Sequence, residues 1–150
     1  MDRLDGLDTE MMEQEKENRN VISLEETKKK RNPFHYWTVN GVEHKLKLTT
    51  GMITKLENKY RTNIMNLVAT DGIPPLSVML TIIQAAMIPW EHGTNIEKVN
   101  MIYDRWLEEG GSQSQLLPQV VMPVLAVSGF FTETQTASLM KDLEESMGLM

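Results

Sequence analysis

The sequence predicts an α+β fold that is mostly helical, with one N-terminal β-hairpin packed on a bundle of about five to six helices. Two observations carry this prediction. The run from Tyr36 to Leu48 alternates apolar and polar residues on either side of Asn40-Gly41, the dipeptide that best tolerates the two positive-φ positions of a type I′ turn. Every later segment then repeats its apolar residues at three- and four-residue spacing between cap and stop signals, which is helical periodicity.

A two-residue loop at Asn40-Gly41 pairs Val39 with Val42 and Trp37 with His44. Trp37, Val39, Val42, His44 and Leu46 then share one face, and Tyr36, Thr38, Glu43, Lys45 and Lys47 the other. A lone hairpin is not stable in water, so the apolar face must lie on the helices behind it.

Thr49 or Thr50 caps a first helix through about Tyr60, with Met52, Ile53, Leu56 and Tyr60 on its apolar side. Asn63 caps a short second helix holding Ile64, Leu67 and Val68, and Asp71-Gly72 ends it. Pro74-Pro75 opens a third helix, because proline suits a first turn whose amide has no intrahelical partner. Its stripe is Leu76, Met79, Leu80, Ile83 and Met87; Pro89 stops it, and Trp90-Glu91-His92-Gly93 forms a loop.

Asn95 caps a fourth helix expected to bury Ile96, Val99, Ile102, Tyr103, Trp106 and Leu107, with Gly110-Gly111 as its stop. Ser112-Gln113-Ser114-Gln115 reads as a capping box for a fifth. That helix is apolar almost all round from Leu116 to Val127, which marks a central helix or one face of an assembly. Pro123 should kink it. Thr132-Glu133-Thr134-Gln135 is a second capping box, opening a last helix with Ala137, Leu139, Met140, Leu143 and Met147 inward.

The organisation follows. Residues 1–33 carry nine acids, seven bases and no aromatics, ending in Lys28-Lys29-Lys30-Arg31 before Asn32-Pro33, and read as a charged, flexible arm. Leu4, Leu7 and Met11 sit at helical spacing within it. Residues 34–131 form the folded domain and 132–150 a C-terminal helix. A net charge of −6 and pI near 5.1 argue against general nucleic-acid binding. The absence of cysteine excludes disulfides and thiolate metal sites and fits a reducing cytoplasm. No apolar run approaches the roughly 20 residues of a membrane span, and the acidic N-terminus is unlike a signal peptide.

The inventory for chemistry is thin. His35 and His44 fall on one hairpin face, but two imidazoles without a third ligand or a flanking carboxylate make a poor metal site. Glu91 and His92, adjacent in a loop, point in divergent directions. There is no phosphate-binding loop and no nucleophile elbow. The pairs Glu108-Glu109 and Glu144-Glu145 sit where helices need solvent faces. No catalytic residue, metal or cofactor is therefore expected, and the chain reads as non-enzymatic.

Binding surfaces are better represented. Trp90 follows a helix-stopping proline, and Phe130-Phe131 follows the most apolar helix. With Leu117, Val121 and Met122 of that helix, they are the expected partner contacts, since aromatics and methionine are typical interface anchors. The competing reading is that these rings plug the ends of the bundle.

Several of these residues, in this order, are similar to a known family. Asn40-Gly41 before Leu46-Lys47-Leu48, a helix ending Leu56-Glu57-Asn58-Lys59-Tyr60, and Asn63 opening the next helix resemble the start of tail assembly chaperones of long-tailed phages. The stretch Tyr103-Asp104-Arg105-Trp106-Leu107-Glu108-Glu109-Gly110-Gly111 and the later Ser128-Gly129-Phe130-Phe131 resemble that family's closing regions. The likeness spans about residues 35–131; the arm 1–33 and the continuation 132–150 depart from it.

The resemblance implies a small helical protein made in host cytoplasm and absent from the mature virion. It would bind and shield the tape-measure protein and help recruit tail-tube subunits, the latter through a longer form made by programmed frameshift. Self-association along the target is implied, and neither nucleic acid nor membrane is a partner. The alternatives are a tail-completion or connector protein retained in the virion, and a small adaptor binding one folded partner.

Overall fold

The computed structural model describes residues 33–69, 72–138 and 141. Strands β1 (His35–Val39) and β2 (Val42–Leu46) pair antiparallel, with Val39 opposite Val42, Trp37 opposite His44 and His35 opposite Leu46. That is the register the Asn-Gly turn demands, and Asn40 and Gly41 both hold positive φ, 55° and 75°. Helices follow in order: α1 (Thr50–Tyr60), α2 (Ile64–Val68), α3 (Leu76–Met87) and α4 (Ile96–Glu108). The last long helix, α5, runs through Gln113–Leu116, a π-helical stretch Leu117–Val121, and Met122–Val127. The α+β, mostly helical class is as the sequence predicts.

Trp37, Val39, His44 and Leu46 are buried against the helices. Val42 shares their face yet is 51% exposed. It lies beside the turn and lines an open groove between the hairpin and α4. Lys47, just past β2, donates its backbone N–H to the Ala86 carbonyl at 3.0 Å, so the hairpin satisfies one of the carbonyls that the end of α3 leaves unpaired.

The caps form as the residue types dictate. Thr49 Oγ1 accepts from the Met52 amide, Asn63 Oδ1 from Asn66, and Asn95 Oδ1 from Lys98. Helix α3 buries more than its expected stripe, adding Ile82, Ala85 and Ala86, and sits at the centre of the core beside β2, α1, α4 and α5. On α4, Val99 and Tyr103 are buried, whereas Ile96 and Leu107 are 37% and 38% exposed. Both were expected inside; they occupy the two ends of the helix, where the packed face runs out. Behind α4, Gly111 lies so close to the Trp106 ring that a Cβ there would overlap it.

One expectation for α5 is corrected. The Ser112 box does not form: Ser112 Oγ donates to Gln115 Oε1 at 3.0 Å, and no side chain caps the backbone. The turn that precedes Pro123 is widened. The Met122 amide reaches back to the Leu117 carbonyl, five residues away. The Gln119 carbonyl, which an amide at position 123 would take in an α-helix, instead accepts a hydrogen bond from the His35 ring. Ser128 Oγ then ties α5 to the strand end, accepting from the Leu48 amide at 2.9 Å.

The second capping box does form, and reciprocally. Gln135 donates its amide to Thr132 Oγ1, and the Thr132 amide donates to Gln135 Oε1. Residues 133–138 are helical, with Ala137 exposed where an inward position was expected. The readings that concern the arm through Asn32, Asp71, Leu139, Met140, Leu143, Met147 and Glu144-Glu145 lie outside the described residues.

Candidate functional site

Between the hairpin and α4 runs an open groove of about 320 Å³. From α4 it takes Lys98, Met101, Ile102 and Arg105, positions that share one helical face. From the hairpin it takes Val39, Asn40, Val42 and His44. The centre is apolar and uncovered: Met101 is 72% and Val42 51% exposed. The charged and polar groups lie towards the ends.

Each end is tied by a carboxylate. At one, Glu91 Oε1 lies 2.8 Å from His44 Nδ1 and Glu91 Oε2 lies 2.7 Å from Lys98 Nζ. Because a carboxylate only accepts, the imidazole donates Nδ1–H to it. Burial works to raise the Glu91 pKa, but hydrogen bonds from Lys98 and His44, with the charges they carry, outweigh it and hold the carboxyl below its ordinary value. At the other end Glu109 accepts the Asn40 backbone N–H on both oxygens, at 2.9 and 3.0 Å. Arg105 anchors Glu109 in turn, Nε to Oε2 at 3.1 Å. The hairpin is thus stapled to the segments before and after α4 while the middle of the groove stays open.

The expected contact residues fall elsewhere. Trp90 is 39% exposed but held in place, with its Nε1–H donated to the Lys47 carbonyl at 2.9 Å and its ring edge-on to Phe34 at 4.9 Å. Phe130, Phe131, Leu117 and Met122 are half-buried against the core. Val121 is fully buried and offers no surface to a partner, because the π-helical turn directs Val120 and Val121 inward together.

His35 and His44 do not converge on a common point: one bonds Gln119 and the other Glu91. Among the described residues no three His, Cys, Asp or Glu side chains are placed to hold a metal ion. Glu91 is the carboxylate that the sequence reading did not place beside His44. Sequence reasoning also misses Met101, although a signal was present: it is a methionine off the α4 stripe, flanked on its own face by Lys98 and Arg105.

Compared with known proteins, the chain matches no family model, no curated protein and no solved structure.

Proposed function

We propose that this chain is a non-catalytic binding protein that works as a tail assembly chaperone, engaging an apolar stripe of the tape-measure protein through the groove between the hairpin and α4. The observation that carries this reading is the open apolar centre of the groove, Val42 facing Met101, between ends that are tied down. A volume near 320 Å³ is at the small end of ligand pockets. It suits the anchor side chains of a larger partner better than a whole small molecule. An amphipathic helix laid along α4 would seat its apolar residues on Val42, Met101 and Ile102, and methionine adapts to differing anchor shapes. Repeated apolar stripes on a long target would then gather several copies, with avidity from their number. Recruitment of tail-tube subunits, location in host cytoplasm and absence from the virion belong to the same proposal.

The test is co-expression with the protein of the next long downstream reading frame, with solubility and pull-down as readouts. The reading expects that partner to be insoluble alone and to co-purify with several copies of this chain. Met101→Glu together with Val42→Glu should abolish capture while the melting temperature holds. A partner that is soluble regardless and never co-purifies, or recovery of this chain from purified virions, would overturn the proposal.

A further inference from the structure

The outer face of the hairpin, turned away from the helices, carries a second surface of different chemistry. Cross-strand pairing of Tyr36 with Lys45 places both there. Phe34 joins them, with its ring 6.4 Å from Tyr36 and 4.9 Å from Trp90. Tyr36 is 49% and Trp90 39% exposed. Lys45 Nζ stands 4.5 Å and Lys47 Nζ 5.6 Å from the centre of the Phe34 ring. Among the described residues neither lysine has a carboxylate at ion-pair distance, unlike Lys98 and Arg105, which are both paired. Glu43 shares this face without reaching either lysine at ion-pair distance, which leaves two unpaired ammonium groups against one carboxylate on exposed aromatic surface.

We propose that this face binds a short acidic peptide segment of a partner protein, one that carries an aromatic or long aliphatic side chain among its carboxylates. Cation–π contacts at exposed sites are weak. Incoming carboxylates would give both ammonium groups charge-assisted hydrogen bonds, and the apolar side chain would cover the Tyr36 and Trp90 rings. The hydrogen bond from Trp90 to the Lys47 backbone already fixes the indole, so little ordering is left for the partner to impose. Charge range decides the class of partner. At physiological salt a charge is felt over about 8 Å. A short acidic segment therefore senses Lys45 and Lys47, whereas a nucleic-acid strand would run past them onto Glu43, with no further lysine or arginine on the hairpin.

The experiment uses the full-length protein and fluorescence anisotropy of dye-labelled synthetic peptides. The probes are a glutamate-rich peptide with a central phenylalanine, its counterpart with lysine at every glutamate, and an oligouridine. The glutamate-rich peptide should bind, with affinity that falls as salt rises. Lys45→Glu with Lys47→Glu should weaken it at least tenfold without shifting the melting temperature, since the Lys47 carbonyl that holds Trp90 is untouched. Lys55→Glu with Lys59→Glu on α1 should leave the affinity unchanged. Equal binding of the lysine peptide, no binding of the glutamate peptide, full affinity in the Lys45/Lys47 double variant, or tighter binding of oligouridine would each overturn the proposal.

Discussion

Replacing Glu91 with alanine removes the carboxylate that joins β2 to the start of α4, and the loss can be built up from its two partners. The His44 side chain is 8% exposed, so its Nδ1–H would be left without a partner and nearly without water, at a cost of about 1–3 kcal/mol. Lys98 is 35% exposed at its side chain and rehydrates, adding only about 0.2–1 kcal/mol. Glu91→Ala should therefore cost about 1–4 kcal/mol, or roughly 5–16 °C in Tm at about 4 °C per kcal/mol for a domain of this size. Glu91→Gln keeps an acceptor for His44 and loses only the charge, so about 1 kcal/mol is expected.

The pH dependence separates this account from a mere packing defect. The fold holds the Glu91 carboxyl below its ordinary value of 4.5, so it favours the ionised form. The stabilisation is complete above that value and lost as the pH falls through the lowered one. The gap between wild type and Glu91→Gln should stand at neutral pH and close as the pH falls below 4.5 and through the lowered value, where the protonated carboxyl resembles the amide. Circular-dichroism melts of the three proteins across that range make the measurement. If Glu91→Ala melts within about 2 °C of wild type at pH 7, or the Gln gap does not change with pH, the carboxylate is not what holds this end of the groove.

Three further outcomes are expected. Gly41→Val meets no atom within 4 Å but must adopt a φ of +75°, so it should cost about 1–2 kcal/mol from backbone strain alone; an unchanged melt would refute the turn's role. Gly111→Ala forces a methyl into the Trp106 ring and should cost about 1–3 kcal/mol, partly recovered by adding Trp106→Leu; a lack of recovery would place the defect elsewhere. Burial lowers the His35 pKa below 6.5 against the opposing hydrogen bond to Gln119, so its contribution is present above that pH and lost as the pH falls. His35→Ala should cost about 1–3 kcal/mol at pH 8 and flatten the decline in wild-type stability between about pH 7 and 5, which urea titrations at each pH would read.

What could be read from the sequence was local. The Asn40-Gly41 turn, the caps at Thr49, Asn63 and Asn95, and the box at Thr132 each close within about four residues, so residue type and spacing suffice. The box at Ser112 has the right letters but fails, because its serine and glutamine side chains bond each other and the Gln115 amide takes the Ser112 carbonyl in place of the hydroxyl. Burial at Val42, Ile96 and Leu107 was misjudged because periodicity assigns a face and says nothing of where the opposing element ends. The two staples of the groove were out of reach for a different reason. Glu91 meets His44 across 47 residues and Glu109 meets Asn40 across 69, and no local pattern encodes such pairs.

Those staples also bear on why the groove exists at all. Scattered exposed apolar residues are ordinary on a folded surface, so the exposure of Met101 or Val42 alone carries little weight. Here the two lie across from each other in a cleft whose ends are fixed by ionised side chains, and the Trp37 and Trp106 rings meet edge-on at 5.8 Å between β1 and α4. A sequence selected for closure alone could shrink the gap with a larger residue than Val42, and a sequence selected for solubility alone would place a charge at position 101. The chain does neither. Filling the groove, for example with Val42→Phe, should therefore preserve or raise stability while reducing capture of the partner. That opposition between stability and binding is what distinguishes a maintained docking surface from a packing flaw.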